Sequence, residues 1–352
     1  MTATTDRTMT RRLGKTDMAI TRVGFGAWAV GGPGWSFGWS AQDDDESVAA
    51  IRRAIEGGVN WIDTAAVYGL GHSERIVATA LRDFAPADRP YVFTKGGLVW
   101  DEQRRTDPPK FIGNPDSLRL EVEDSLSRLQ VDRIDLYQMH WPPQDGTRIA
   151  EYWSTLIDLK REGKIRAAGL SNHSAVQLEI AERFGHVDSL QPPFSAIRRD
   201  AAGAELPWCL RHQTGVIVYS PMQSGLLTGA FDVARAANLS RDDWRSRSDD
   251  FTGAALQRNL QLADALRPIA MRHDTTVAAV AVAWTLAWPG VTGAIVGARR
   301  PQQVDGWLDA LRLNLTAADL EAIARAIEDS GAGSGPVRPQ VGVTGSVEAI
   351  VS

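Results

Sequence analysis

The chain has 352 residues, 43 % of them apolar and 23 % charged, and a net charge of −5. Such a chain can bury a full core without disulfides or a structural metal, and its single cysteine, Cys209, excludes an internal disulfide, which fits a cytoplasmic protein. The acidic balance offers no basic face for nucleic acid, no apolar run approaches the roughly 18 residues of a membrane span, and the N-terminal MTATTDRTMTRRLGK lacks the apolar centre of a secretory signal, so neither a nucleic-acid nor a membrane partner is expected.

The segment RRLGKTDMAI (11–20), with Gly14 in a turn, reads as a short hairpin. Eight apolar runs follow: ITRVGFG (20–26), GVNWID (58–63), YVFTK (91–95), RIDLYQMH (133–140), KIRAAGL (164–170), HVDSLQ (186–191), GVIVYS (215–220) and TGAIVG (292–297). They are nearly continuous rather than alternating, the pattern of parallel strands covered on both faces.

Amphipathic helices lie between them. Asn114 is a predicted N-cap ahead of Pro115, with Leu118, Val122, Leu126 and Leu129 recurring at helical spacing. Segment 148–164 carries Ile149, Trp153, Leu156 and Leu159 before Gly163 stops it, and Leu256, Leu260, Ala263 and Leu266 form another stripe. Two further helices are predicted near 300–310 and 316–328. An uninterrupted strand–helix alternation predicts one (β/α)₈ TIM barrel with an N-terminal hairpin and extra C-terminal helix over 1–330, then a Gly/Ser/Pro-rich tail over 331–352.

Several motifs fail on context. GFGAWA (24–29) matches the dinucleotide pattern G-x-G-x-x-A, but VGGPGWSFGW follows and cannot supply the required helix N-terminus. The six histidines are scattered, Cys209 has no partner and H-E-x-x-H is absent, so no metal site is expected. Neither a G-x-S-x-G elbow nor a phosphate-binding G-x-x-x-x-G-K-[ST] loop occurs.

What remains sits at strand ends, where barrel enzymes keep their chemistry. The second, third and fourth strands end in Asp63, Lys95 and His140, and Tyr68 follows Asp63 in the next loop. Period-two counting puts Trp61 with Asp63, Phe93 with Lys95 and Gln138 with His140 on shared faces. A free phenol is a poor proton donor at neutral pH, and an adjacent ammonium is expected to draw its pKa down. Asp63 would keep Lys95 charged, and His140 would give a second hydrogen bond to the reacting oxygen. Each residue alone has an ordinary structural explanation; their joint occurrence points to proton delivery. Of twelve tryptophans, Trp28, Trp35, Trp39, Trp100 and Trp141 lie outside core-like runs, either as surface-loop anchors or as the wall of a small-molecule pocket.

With these residues in place, the sequence resembles the aldo-keto reductases, NAD(P)(H)-dependent barrel oxidoreductases. The resemblance rests on GVNWIDTAAVYGLGHSE (58–74), VFTKGG (92–97), RLQVDRIDLYQMHWP (128–142), GKIRAAGLSNHS (163–174), YSPMQSGLLTG (219–229) and IVGARRPQQV (295–304). It implies a catalytic tetrad of Asp63, Tyr68, Lys95 and His140, with Tyr68 the acid in carbonyl reduction and the base in reverse. It implies that Ser171, Asn172 and Gln191 hold the nicotinamide carboxamide and that Tyr219 stacks on its ring. The loop from Ser220 through Gly225 and Leu226 would wrap the pyrophosphate. Gly297, Arg299 and Gln303 would meet the adenosine end, with Arg299 on a 2′-phosphate, which favours NADP(H) and leaves NAD(H) possible. The pocket wall would comprise Trp28, Trp35, Trp100, Trp141 and the charged, mobile loop 230–252. One departure stands out: where the family often has an acid and an amide on adenine, this chain has Gly306 and Trp307, leaving Trp307 to stack on adenine or to pack on the barrel. The expected function is reversible reduction of an aldehyde or ketone; the alternative is a nucleotide-binding regulatory subunit resembling potassium-channel β subunits. The oligomeric state is left open.

Overall fold

Each of the eight apolar runs contributes one parallel strand to a closed barrel: β1 (Val23–Gly26), β2 (Trp61–Asp63), β3 (Tyr91–Gly96), β4 (Ile134–Met139), β5 (Ile165–Ser171), β6 (Ser189–Gln191), β7 (Gly215–Tyr219) and β8 (Val291–Gly297). Successive strands pair in order and β8 closes on β1. The computed structural model describes residues 9–39, 41–240 and 243–339. Residues 241–242 of the expected mobile loop, and the expected tail beyond residue 339, lie outside these ranges.

Helices α1 (Asp44–Glu56), α2 (His72–Leu81), α3 (Pro115–Leu129), α4 (Ile149–Arg161), α5 (Ala175–Glu182) and α6 (Glu205–His212) follow the first six strands. Between β7 and β8 lie α7 (Val233–Ala237), α8 (Gly253–Ala265), α9 (Arg267–Arg272) and α10 (Val277–Leu286); α11 (Pro301–Leu308) and α12 (Ala317–Ser330) come last. Local chemistry places their ends. Asn114 caps α3 by accepting from the N–H groups of Asp116 and Ser117, with Pro115 at the first helical position. Leu118, Val122 and Leu129 are buried against the sheet.

Two cores result. One fills the shell between strands and helices. The other fills the barrel: Trp61, Phe93, Leu136, Ala167, Ile217 and Ile295 project inward from β2, β3, β4, β5, β7 and β8. Leu13, Met18 and Ile20 from the hairpin Thr10–Arg12/Ala19–Thr21 join this cluster and close the N-terminal mouth. The run 20–26 therefore divides between a hairpin strand and β1, and His140 is the first residue beyond β4.

Residues 331–339 run back along the loop after β6. The Ser334 N–H donates to the Ile197 carbonyl, and the Arg199 N–H to the Ser334 carbonyl. The buried Arg199 guanidinium donates to the Ala332 carbonyl, and Arg338 pairs with Glu321 and Glu328 on α12.

The Trp61 indole needs the bare backbone of β1. A β-carbon added at Gly24 would land within the ring, whose Nε1–H already donates to the Thr21 carbonyl at 2.8 Å. Gly24→Ala should cost about 1–3 kcal/mol by overpacking, read from urea unfolding midpoints. Adding Trp61→Leu should restore part of it, and an unchanged midpoint in Gly24→Ala would contradict this account.

Candidate active site

Above the apolar layer inside the barrel lies a polar one. Two residues beyond Trp61, Phe93 and Leu136 on their strands come Asp63, Lys95 and Gln138, pointing to the same interior. The Lys95 ammonium donates to Asp63 Oδ1 at 2.5 Å and to the Thr64 carbonyl at 2.9 Å. It lies 3.5 Å from the Tyr68 hydroxyl. The other Asp63 oxygen accepts from Gln191 at 2.8 Å and Gln138 at 3.4 Å. Lys95 and Asp63 side chains are 0 % and 3 % exposed.

The loop carrying Tyr68 is fixed from both sides. The Ala66 N–H donates to the Lys95 carbonyl, and Thr64 and Ser73 join hydroxyls at 2.8 Å, with Ser73 donating on to the Ala27 carbonyl. Gly69 takes φ 61° and lies directly against the Gly31 backbone, where any side chain would collide. That contact presents the phenol over the polar layer. The His140 ring meets the Tyr68 ring edge-on at 5.6 Å, and His140 Nδ1 has no hydrogen-bond partner among the described residues.

The electrostatics differ from the sequence expectation. Burial, reinforced by the Asp63 charge, pushes the Tyr68 phenol well above its ordinary pKa. Lys95 does not draw it down because its charge is matched by Asp63 and its nearest contacts are Asp63 and Thr64. Burial raises the Asp63 carboxyl and lowers the Lys95 ammonium, and each partner opposes the shift of the other. We assign the charged pair, since Asp63 accepts from three side-chain donors. Burial, then the Lys95 charge, holds His140 well below its usual pKa, so the imidazole is neutral at pH 7.

The remaining expected residues form a second, connected group. Ser171 donates to the Gln191 carbonyl, and Asn172 donates to the Ser171 hydroxyl and the His140 carbonyl. The Tyr219 hydroxyl donates to Asn172 Oδ1 at 2.8 Å. Gln191 directs its amide nitrogen at Asp63 and Gln138. After β7, Ser220, Gln223, Ser224 and Gly225 all take positive φ, at 55°, 45°, 52° and 108°, above a fully buried Leu226. Left-handed residues of this kind turn backbone N–H groups toward one side and make a concavity suited to phosphate. Gly297 ends β8, exposed. Arg299 donates to Gln42 and to the Ala41 carbonyl, its own N–H donates to Gln303, and Arg300 pairs with Glu46 at 3.0 Å. Trp307 is 2 % exposed and packs in the outer core, which rules out its stacking on a ligand.

Among the expected pocket tryptophans, Trp28 and Trp35 lie 6.4 and 6.2 Å from the Tyr68 ring. Trp100 packs on the same small cluster. Trp141 stands further out, 38 % exposed, with its edge on Phe111.

Sequence reasoning missed two contributors. Gln138 was placed on the His140 face by the two-residue period but given no part; its bond to Asp63 depends on the barrel's radius. Arg245 was read only as loop charge. It is clamped by both oxygens of Asp243, donates to the Ser224 carbonyl at 3.2 Å and covers the Trp39 ring at 4.8 Å. Trp244 beside it stacks on Trp28 at 5.6 Å, which ties this part of the loop to the rings around Tyr68.

The comparisons with known proteins agree with this geometry. Residues 22–328 match the model of the Aldo/keto reductase family. The chain is 34 % identical over 330 residues to the NADH-specific methylglyoxal reductase of Escherichia coli K12, covering 90 % of this chain and 98 % of that protein. It is 32 % identical over 328 residues to the Bacillus subtilis aldo-keto reductase YhdN, covering 92 % and 95 %. Among solved structures, the glycerol dehydrogenase AKR11B4 of Gluconobacter oxydans superimposes with a TM-score of 0.83 at 36 % identity, over 93 % of this chain and 98 % of that one. With a buried lysine–aspartate pair under a phenol at the mouth of an eight-stranded barrel, and a match over nearly its whole length, the chain belongs to the aldo/keto reductase family of nicotinamide-dependent oxidoreductases.

Proposed function

We propose that the protein reversibly reduces a small aldehyde or ketone to the alcohol, with Tyr68 delivering the proton. The observation that carries this reading is the Lys95 ammonium, held by Asp63 and placed 3.5 Å from the Tyr68 hydroxyl. The residues fit a nicotinamide dinucleotide: the left-handed turn at Ser220–Gly225 suits its pyrophosphate, and Tyr219, next to that turn, donates to Asn172, which donates to the carbonyl of His140 beside Tyr68. Bound there, the dinucleotide supplies or accepts the hydride. Ser171, Asn172 and Gln191 would hold the carboxamide, Tyr219 the ring face, and Gly297, Arg299 and Gln303 the adenosine end.

The chain's own groups manage the proton. Burial keeps the phenol protonated at neutral pH, so Tyr68 has a proton to give as charge grows on the carbonyl oxygen. The Lys95 ammonium, 3.5 Å from the phenol oxygen, is placed to donate a hydrogen bond to it when the proton leaves. Neutral His140 offers a hydrogen bond to the same oxygen without a competing charge. Trp28 and Trp35 exclude water from one side. A cytosolic location fits the buried, unpaired Cys209 thiol.

The adenosine end supports NADH as the preferred donor, a revision of the NADP(H) expectation. Arg300 is matched by Glu46, and Arg299 is bound to Gln42 and Ala41, so a 2′-phosphate must displace existing partners, whereas a 2′-hydroxyl need not. The E. coli relative named NADH-specific points the same way.

Three measurements test these assignments. Tyr68→Phe should lower kcat for methylglyoxal-dependent NADH oxidation by about 10²–10⁴-fold, the usual contribution of a positioned acid; wild-type turnover would remove Tyr68 from that role. Because its pKa is raised, kcat for alcohol oxidation should climb with pH through about 7 to 9 as the phenolate fraction grows, while carbonyl reduction stays level. A falling oxidation profile would contradict the assignment. Glu46→Gln should raise kcat/KM for NADPH about tenfold relative to NADH by releasing Arg300; a wild-type enzyme already favouring NADPH would overturn the NADH proposal.

A further inference from the structure

On the outer wall α2 and α3 part to leave a cavity of about 720 Å³, with Arg128 at one end 6.0 Å from the Trp100 ring. Four arginines line it: Arg75 and Arg82 from α2 and the residue after it, Arg89 at the approach to β3, and Arg128 from the last turn of α3. Arg75 and Arg82 are seven residues apart, hence on one face and about 10 Å apart along the axis. A β-carbon added at Gly71 would lie 3.2 Å from both Arg75 Nη1 and Arg128 Nε, so those two guanidinium groups crowd the same glycine.

Their charges are unevenly matched. Arg128 is neutralised by Glu74 at 2.6 Å, a fully buried carboxylate that also accepts from Thr94. Among the described residues, Arg75, Arg82 and Arg89 form no ion pair, and the nearby Asp83 is paired with Arg52. The Arg89 guanidinium makes one hydrogen bond, to the Phe84 carbonyl. The groove therefore gathers surplus positive charge on a chain whose net charge is −5. Like charges held together repel, and an anion seated between them removes that cost. Guanidinium forks match phosphate oxygens in pairs, and the spacing along α2 spans more than one phosphoryl group. Leu81, Leu129 and Val131 provide an apolar floor beside the charges.

We propose that this groove is a binding site, separate from the dinucleotide site, for a small molecule carrying two or more phosphoryl groups. Arg75, Arg82 and Arg89 supply the forks, and Arg128 closes one end while remaining on Glu74.

The probe is inorganic tripolyphosphate, titrated calorimetrically at low salt into the full-length protein without nucleotide, since NADH and NADPH carry phosphoryl groups themselves and would compete for the groove. Wild type should show saturable binding, and its loss in variants of the groove assigns it there. Arg75→Gln and Arg82→Gln should each weaken it about tenfold, and both positions are exposed, so folding is checked simply by an unchanged Tm. Arg325→Gln, an exposed arginine on α12, should leave binding unaltered. The proposal is overturned if wild type shows no saturable binding, if the two groove variants bind as wild type does, or if Arg325→Gln weakens binding equally.

Discussion

The architecture of the site depends on one interaction, the ion pair between Lys95 and Asp63 inside the barrel. Moving either charge alone out of water costs several kcal/mol, so neither residue is tolerable there without the other. The barrel meets the cost with a complete set of partners: Gln191 and Gln138 occupy the second Asp63 oxygen, and the Thr64 carbonyl accepts from Lys95. Removing one member would leave a buried unmatched charge, typically a loss of about 3–5 kcal/mol. The pair thus constrains stability and chemistry together. It anchors the polar layer on three strands and sets a cation under the phenol.

That constraint explains the small residues around it. The stretch from Thr64 to Gly71 must turn sharply to bring Tyr68 back over Lys95. It does so with left-handed Gly69, Leu70 and Gly71, and with Gly69 pressed against Gly31. The loops that complete the mouth are tied to this turn by rings. Trp28 and Trp35 flank Tyr68, and Trp28 carries the contact outward to Trp244. Arg245 then joins that loop to the left-handed turn after β7. The tryptophan cluster around Tyr68 and the left-handed turn after β7 are therefore parts of one packed unit.

Much of this was legible in the residues. Continuous apolar runs announced buried parallel strands, because a strand covered on both faces has no polar side to alternate. The two-residue period carried Trp61 to Asp63 and Phe93 to Lys95, and the same arithmetic placed Gln138 inside. Asn114–Pro115 marked a helix start through local capping chemistry alone. Arg245 was not legible: its partners Asp243, Ser224 and Trp39 are brought together only by the path of a long loop. Nor were the states of Arg299 and Arg300, since Gln42 and Glu46 lie more than 250 residues away in the chain.

The sequence by itself determined the barrel, the strand order and the four titratable residues near the strand ends, because strand periodicity and strand order are local or sequential properties. Only the tertiary structure decided the charge state around the phenol, the engagement of Arg299 and Arg300 by their neighbours and the gathering of four arginines in one outer groove. These depend on burial and on distances between segments remote in sequence, and no spacing along a chain encodes how deeply a side chain is withdrawn from water.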